Sequence, residues 1–222
     1  PKVRRFLSGA KEEICVILSG SDYITSSALG ILEQVKDKVK INILYVQPDL
    51  KMLSDKDKIH ERVVSGVLQQ YARGALFEKM YLVSLAEVEK YIGEYTINNY
   101  ETKLHETIAY YYHMLNVFLK KDKVLGNTGI LPATARLATF GFFDTENSEI
   151  KMFFPLEIPR ELRYYFGIEN EKLENDTKIF SKIKNMLTNP SQDVNITYEI
   201  HSVEKQDVGI AEQFSTLIQN QD

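Results

Sequence analysis

The sequence predicts an α/β fold: a parallel sheet with helices on both faces, a long core helix, and then a smaller mixed α+β second domain. Three observations carry this. Strand-like and helix-like segments alternate as far as residue 85, the pattern of a parallel sheet with right-handed crossovers. The longest helical pattern, about Asn98 to Lys121, follows directly. Beyond the Gly-, Asn- and Lys-rich stretch KKDKVLGNTGILP at 120–132 the alternation stops. The domains expected are 1–121, a partial α/β domain that includes the core helix, and 122–222, a second α+β domain.

The first strand is the apolar run Ile14-Cys15-Val16-Ile17-Leu18, ended by the turn Ser19-Gly20-Ser21-Asp22. A helix from about Ile24 to Lys38 repeats Leu29, Leu32 and Val35 at helical spacing. VKINILYVQPD is apolar at consecutive positions, as a strand buried on both faces must be, and Pro48 ends it. Ser54 or Asp55 caps a helix over about 55–74, with Ile59, Val63, Val67, Leu68 and Tyr71 inward and Gly74 as its stop. KMYLVSL, 79–85, is the third strand, and a short helix near 86–93 leads into the core helix. On that helix Leu104, Ile108, Tyr111, Tyr112, Leu115 and Leu119 form the apolar face. In the second part, ARLATFGFFD and EIKMFFPLEI read as strands around TENS. PRELRYYFG reads as a short helix with Pro159 at its first position, and a further helix spans about Glu171–Leu187. VNITYEIHSV is a strand, IAEQFSTLIQ a closing helix, and the tail QNQD is expected to be mobile.

At 222 residues, 44% of them hydrophobic, the chain is long enough for a sizeable core. A net charge of -4 gives no strong signal for nucleic acid or an anionic membrane. Cys15 is the sole cysteine, which excludes a disulfide framework and a cysteine zinc site and suits a reducing, cytoplasmic compartment. No apolar run reaches the length of a membrane span, and no signal peptide is read. Val3, Phe6 and Leu7 look like the end of a helix, so upstream sequence is expected. His60, His105, His113 and His201 fall on separate elements or eight residues apart, which is no metal clasp. Hydrolase and phosphate-loop signatures are absent. The tyrosines of YYYHM, 110–114, point to different faces of a helix and suit packing better than base stacking.

One stretch stands out. Ser19, Gly20, Ser21, Thr25, Ser26 and Ser27 place hydroxyls and one glycine where a strand becomes a helix, a junction whose free N–H groups suit phosphate. The same residues are also ordinary helix caps, and close approach to phosphate favours more glycine than this.

The order of elements resembles the central part of the tubulin/FtsZ superfamily. LSGSDYITSSALGILEQVKD falls at that family's GGGTGSG-like phosphate signature, HERVVSGVLQQY at its arginine-bearing segment, and INNYETKLHETIAYYYHMLNVF at its core helix. YEIHSV and AEQFSTLIQ resemble the closing strand and helix of its second domain. The resemblance implies that GTP or GDP, with Mg2+ as a candidate counter-ion, contacts Ser19, Gly20, Ser21 and Ser26 through its phosphates. Arg62 would offset phosphate charge, and Asn98 and Asn99 would read the base. It implies head-to-tail self-assembly, with a protein adaptor as a further partner. The departures are Asp22, a negative charge beside the phosphates, and the loop KVLGNTGILPATAR, which lacks the acidic residues that activate water on a neighbouring subunit. Trans-activated hydrolysis is therefore expected to be weak or absent. Two other readings stand beside this one: a scaffold of the same fold that binds no nucleotide, and an unrelated doubly wound α/β binding protein.

Overall fold

The structure, a computed structural model, describes residue 9 and residues 12–20, 22–33, 37–144, 149–187 and 194–219. In chain order the elements are β1 (Glu13–Ser19), α1 (Thr25–Leu32), β2 (Lys40–Gln47), a 3-10 turn (Leu50–Met52), α2 (Asp55–Arg73), β3 (Lys79–Ser84), α3 (Leu85–Glu89) and α4 (Tyr100–Lys120). There follow β4 (Leu125–Asn127), β5 (Leu137–Phe143), β6 (Ile150–Met152), β7 (Glu161–Glu169), α5 (Asn170–Asn175), α6 (Ile179–Leu187), β8 (Asn195–Val203) and β9 (Val208–Ser215).

The described strands form one sheet in the order β1-β2-β3-β5-β9-β7-β8-β4, with β6 paired to β5. β1, β2 and β3 are parallel, in a register that sets Ser19 beside Val46 and Gln47 beside Ser84. Their carboxyl ends therefore form one rim. β5 joins β3 in parallel, and beyond it the sheet is mixed: β9 runs antiparallel to β5 and β7, while β7 and β8 are parallel. Helices cover both faces. Ile41, Ile43 and Tyr45 of β2 meet Ala28 and Leu32 of α1 and Val64, Leu68 and Ala72 of α2. Leu44, one residue out of step, turns to Leu104, Ile108, Leu115 and Phe118 of α4. Each fully buried Leu or Phe on such a face stabilises by about 1.5–3 kcal/mol.

Several elements differ from the sequence reading. PRELRYYFG is not a helix; it is most of β7, buried from Glu161 to Ile168 between β9 and β8. Its run of aromatic residues suits a strand with two covered faces, and tertiary burial outweighs the Pro159 start signal. IAEQFSTLIQ is likewise not a helix, because its first half completes β9, between β5 and β7. The helix expected over 171–187 is two helices, parted where the Asp176 side chain accepts the Lys178 N–H at 2.8 Å. The loop 120–132 contains β4, and α1 ends at Leu32, with Val35 outside the described residues. The TENS connection at 145–148 and the amino-terminal residues 1–8 also lie outside them. In the tail, Gln219 is buried, and its N–H donates to Gln69 Oε1 at 2.7 Å.

The faces of two helices also shift. On α2 the buried residues are Glu61, Val64, Ser65, Leu68, Gln69 and Ala72, whereas Ile59, Val63 and Val67 are exposed. On α4, Phe118 takes the core position expected of Leu119, which is exposed.

Candidate functional site

β1 delivers its bend to the rim. The Gly20 N–H donates to Val46 O at 3.0 Å, so the bend opens as a continuation of the β1–β2 pairing. Gly20 is buried, and a Cβ there would stand 2.5 Å from Tyr45 Oη and 3.0 Å from both Glu61 Cγ and Pro48 Cδ. Only glycine lets the chain approach β2 and α2 this closely. Beneath it the buried Tyr45 hydroxyl donates to Glu61 Oε1 at 2.9 Å. Burial first, then the charge of Glu61, push that hydroxyl far above its ordinary range, so it remains a donor.

Past Gly20 the bend satisfies its own polar groups. Asp22 Oδ1 accepts the Ile24 N–H at 2.8 Å, and Asp22 O accepts the Thr25 N–H at 3.0 Å. Thr25, buried, donates its hydroxyl to Ser19 O at 2.7 Å, and the exposed Ser26 donates to Tyr23 O at 2.7 Å. The cap of α1 is Ile24, whose side chain makes no capping bond; the anion at this helix start is Asp22. A phosphate placed here would compete with that carboxylate for the Ile24 N–H. Ser21 lies outside the described residues.

Tyr23 ties the bend to α2. Its ring lies 4.5 Å from that of His60, and its hydroxyl donates to Asp57 Oδ1 at 3.3 Å. Asp57 also accepts the Ser54 hydroxyl at 2.6 Å, while Ser54 caps α2 by accepting the Asp57 N–H. On this helix Glu61 turns in under Gly20, and the adjacent Arg62 is exposed.

The head of α4 meets the same rim. Asn99 stands at its N-cap position, and Asn99 Oδ1 accepts the Thr96 N–H at 2.7 Å. Asn98 is exposed. Tyr95 and Tyr100 pack with ring centres 5.0 Å apart, and Tyr95 donates to Glu89 at 2.5 Å. The Tyr100 hydroxyl is raised by burial, then by a bond to Glu89 and that carboxylate's charge, and Tyr100 packs on the same apolar cluster as Val46 at the end of β2. The bend, the first turns of α2 and the head of α4 thus share one rim. Its carboxylates include Asp22, Asp49, Asp57 and Glu61. No group of three or more metal-ligating side chains occurs among the described residues.

At the far end, α4 stops at Lys120 and the chain turns extended at Lys121. The loop after the core helix therefore includes Asp122, an exposed carboxylate just ahead of the stretch read as acid-free. Behind it, Glu199 Oε1 accepts from Lys123 Nζ at 3.1 Å and from the Thr128 hydroxyl at 3.0 Å. Burial pushes the Glu199 carboxyl up, but these bonds hold it below its ordinary value. The buried His201 ring stacks on Phe118 at 4.9 Å, with Nδ1 3.4 Å from Asp122 O. The sequence reading missed Tyr45, Glu61 and Asp122. Gly20, the single glycine of the bend, was the one local sign that something large lay against it.

Solved structures match this fold. The GTPγS-form protofilament of TubZ from Bacillus thuringiensis serovar israelensis superposes with a TM-score of 0.66 at 12% identity, over 94% of this chain and 61% of that one. The fold is that of the tubulin/FtsZ superfamily. CetZ from Methanosaeta thermophila strain DSM 6194 gives a TM-score of 0.62 at 14% identity, over 93% of this chain and 61% of that one. An empty FtsZ dimer of M. jannaschii gives 0.59 at 12% identity, over 96% of this chain and 65% of that one. No protein-family model and no curated protein matches the sequence. The chain spans about three fifths of the length of the TubZ and CetZ chains it resembles. Among the described residues no helix is long and apolar enough to cross a membrane.

Proposed function

We propose that the protein binds a guanine nucleotide, GTP or GDP, at the carboxyl rim of β1–β3 and assembles head to tail as a cytoplasmic, tubulin-like filament former. The observation that carries this is the gathering of the bend, the first turns of α2 and the head of α4 on one rim, where open α/β sheets bind ligands. Ser19, Gly20, Ser21 and Ser26 face the phosphates in this reading, Arg62 offsets their charge, and Asn98 and Asn99 meet the base. The internal bonds of Asp22 make the binding weak unless a cation, Mg2+ by this reading, offsets the carboxylates. TubZ protofilaments in GTPγS and GDP forms support the reading.

The two ends suit a heterologous contact. Tyr23, Ile24, Met52 and Ile97 are exposed on or beside the rim, and Val124, Leu125 and Ile130 are exposed beyond the other end of α4. The 21 residues of that helix separate the ends by about 31 Å. A patch of this kind meeting its complement on the next copy propagates as a filament, to which an adaptor protein could attach. Asp122, the one carboxylate of the loop at 121–136, leaves hydrolysis slow. We place the boundary between the two halves at 121/122.

Calorimetric titration with GTP and GDP, with and without Mg2+, tests the site. Arg62→Ala is expected to weaken binding about tenfold, close to 1.4 kcal/mol. Unchanged affinity removes Arg62 from the site. No binding by the wild type, with light scattering that still reports assembly, would leave the nucleotide-free scaffold as the function.

A further inference from the structure

The outward face of α2 has no partner in the described structure. Ile59, Val63 and Val67 are 67%, 59% and 39% exposed, although they recur every four residues as a buried stripe would. Gly66 lies on the same face, and a methyl group added there would meet no atom within 4 Å. A glycine inside a helix is less favourable than alanine, and nothing among the described residues uses the space it leaves. At 3.6 residues per turn, Ile59, Val63, Gly66 and Gln70 fall within an arc of about 60°. This face looks away from the sheet and runs along the flank of the molecule; only its first turns, at Asp55 and Ile59, border the rim proposed above as a filament end.

We propose that this face is an isologous contact with a second copy of the chain, the two α2 helices packing antiparallel about a two-fold axis. The charges at the two ends of α2 fit a second copy, although Arg62, on the same flank near the midpoint, would face its own copy across the axis. α2 is acidic in its first turn, at Asp55 and Asp57, and basic in its last, at Arg73. Asp55 and Arg73 are equidistant from the midpoint at Val64, and their separation of eighteen residues, five full turns, sets both on the same flank. A two-fold axis through the midpoint then brings Asp55 of each copy level with Arg73 of the other, at both ends at once. The helix dipoles are opposed, also favourably. Val63 of each copy packs toward the notch at Gly66 of the other, where the absent side chain allows the axes to approach to about 8 Å. Asp55 is fully exposed, and its 3.6 Å pair with Lys58 is a surface contact that a second copy can replace.

Sedimentation velocity on the 222-residue chain without nucleotide tests this, in a Cys15→Ser background that removes the exposed thiol. A concentration-dependent dimer is expected, weakened at least tenfold by Val63→Asp. Asp55→Arg and Arg73→Asp should each weaken it severalfold, and the two together should restore it. Gly66→Ala should weaken the dimer while raising the melting temperature of the monomer, a pairing that misfolding cannot produce. Ile130→Asp, at the far end of the molecule, should leave the dimer intact. A wild type that stays monomeric across the concentration range overturns the proposal. So does a charge swap that fails to restore association, or a dimer lost to Ile130→Asp but not to Val63→Asp.

Discussion

Replacing Gly20 by alanine tests how closely the bend is pressed against the sheet. Gly20 is not in the left-handed region, so its backbone accepts alanine and only the added methyl matters. That methyl would stand 2.5 Å from Tyr45 Oη, where real contacts do not go. Tyr45 is 1% exposed and bonded at 2.9 Å to the equally buried Glu61, so it cannot retreat without breaking that bond. Overpacking of this kind costs about 1–3 kcal/mol, less about 0.4–1 kcal/mol returned by the stiffer unfolded chain. Tyr45→Phe alone removes a donor from a buried carboxylate, a loss of about 1.5–3 kcal/mol. The Tyr45 oxygen makes both the lost bond and the closest clash, while the 3.0 Å contacts with Glu61 and Pro48 remain, so the double variant should cost about 1 kcal/mol less than the sum. Urea unfolding of the four proteins closes the cycle. Additivity within about 0.5 kcal/mol, or a Gly20→Ala variant as stable as the parent, would show that the bend does not rest on Tyr45.

Two other consequences follow from buried charge. Glu212, fully buried, accepts from Tyr81 at 2.6 Å and Tyr165 at 2.9 Å and pairs with Lys79 at 3.3 Å. Lys79→Met should destabilise by about 3 kcal/mol in urea unfolding, the low end for breaking a buried pair because the tyrosines remain, and adding Glu212→Gln should recover part of it. A loss below about 1 kcal/mol would show that the lysine does not compensate the carboxylate. Burial lowers the His201 pKa in the folded protein, although Asp122 O and Glu199 pull the other way. The unfolded chain then binds the proton first, so the stability His201 confers is present above about pH 6.5 and is lost as pH falls toward its folded value. His201→Gln should flatten that part of the unfolding free energy against pH; an unchanged slope would assign it to other groups.

How much of the fold could be read depended on whether a segment's own pattern agreed with its surroundings. β1, β2 and β3 were legible as short unbroken apolar runs and α2 and α4 by helical spacing, with Ser54, Pro48 and Gly74 at their ends, although β1, read as buried, is an edge strand that leaves Cys15 and Ile17 exposed. β7 and β9 were not. In β7 all but the last residue is buried, among them the charged pair Glu161 and Arg163, so no alternation marks it as a strand. β9 places Glu212 in the core, a residue that reads as a helix surface until Tyr81, Tyr165 and Lys79 are known to surround it. Their positions, at sequence separations of 131, 47 and 133 residues, are tertiary information. The outward Ile59, Val63 and Val67 misled for the opposite reason: they form a good apolar stripe, and the buried face instead mixes Val64, Leu68 and Ala72 with Glu61, Ser65 and Gln69.

The candidate site divides along the same line. The serine-rich bend was visible because a strand-to-helix junction is a local event, and so was the head of α4, where Asn99 lies at a helix start. What the bend can do is decided by groups that only the sheet assembles. Gly20 faces Tyr45 and Glu61, Tyr23 reaches His60 and Asp57, and Asp22 takes the Ile24 N–H a phosphate would use. Glu61 and Arg62 are adjacent in sequence, yet one helical step of 100° puts the carboxylate under the bend and leaves the guanidinium exposed. A rim carrying Asp22, Asp49, Asp57 and Glu61 needs its charge offset to hold a nucleotide, by Arg62 swinging in, by the Lys56 ammonium 6.0 Å from the centre of the Tyr23 ring, or by a cation that accompanies the phosphates. The dependence of affinity on Mg2+ and on Arg62 therefore measures the balance of charge at this rim.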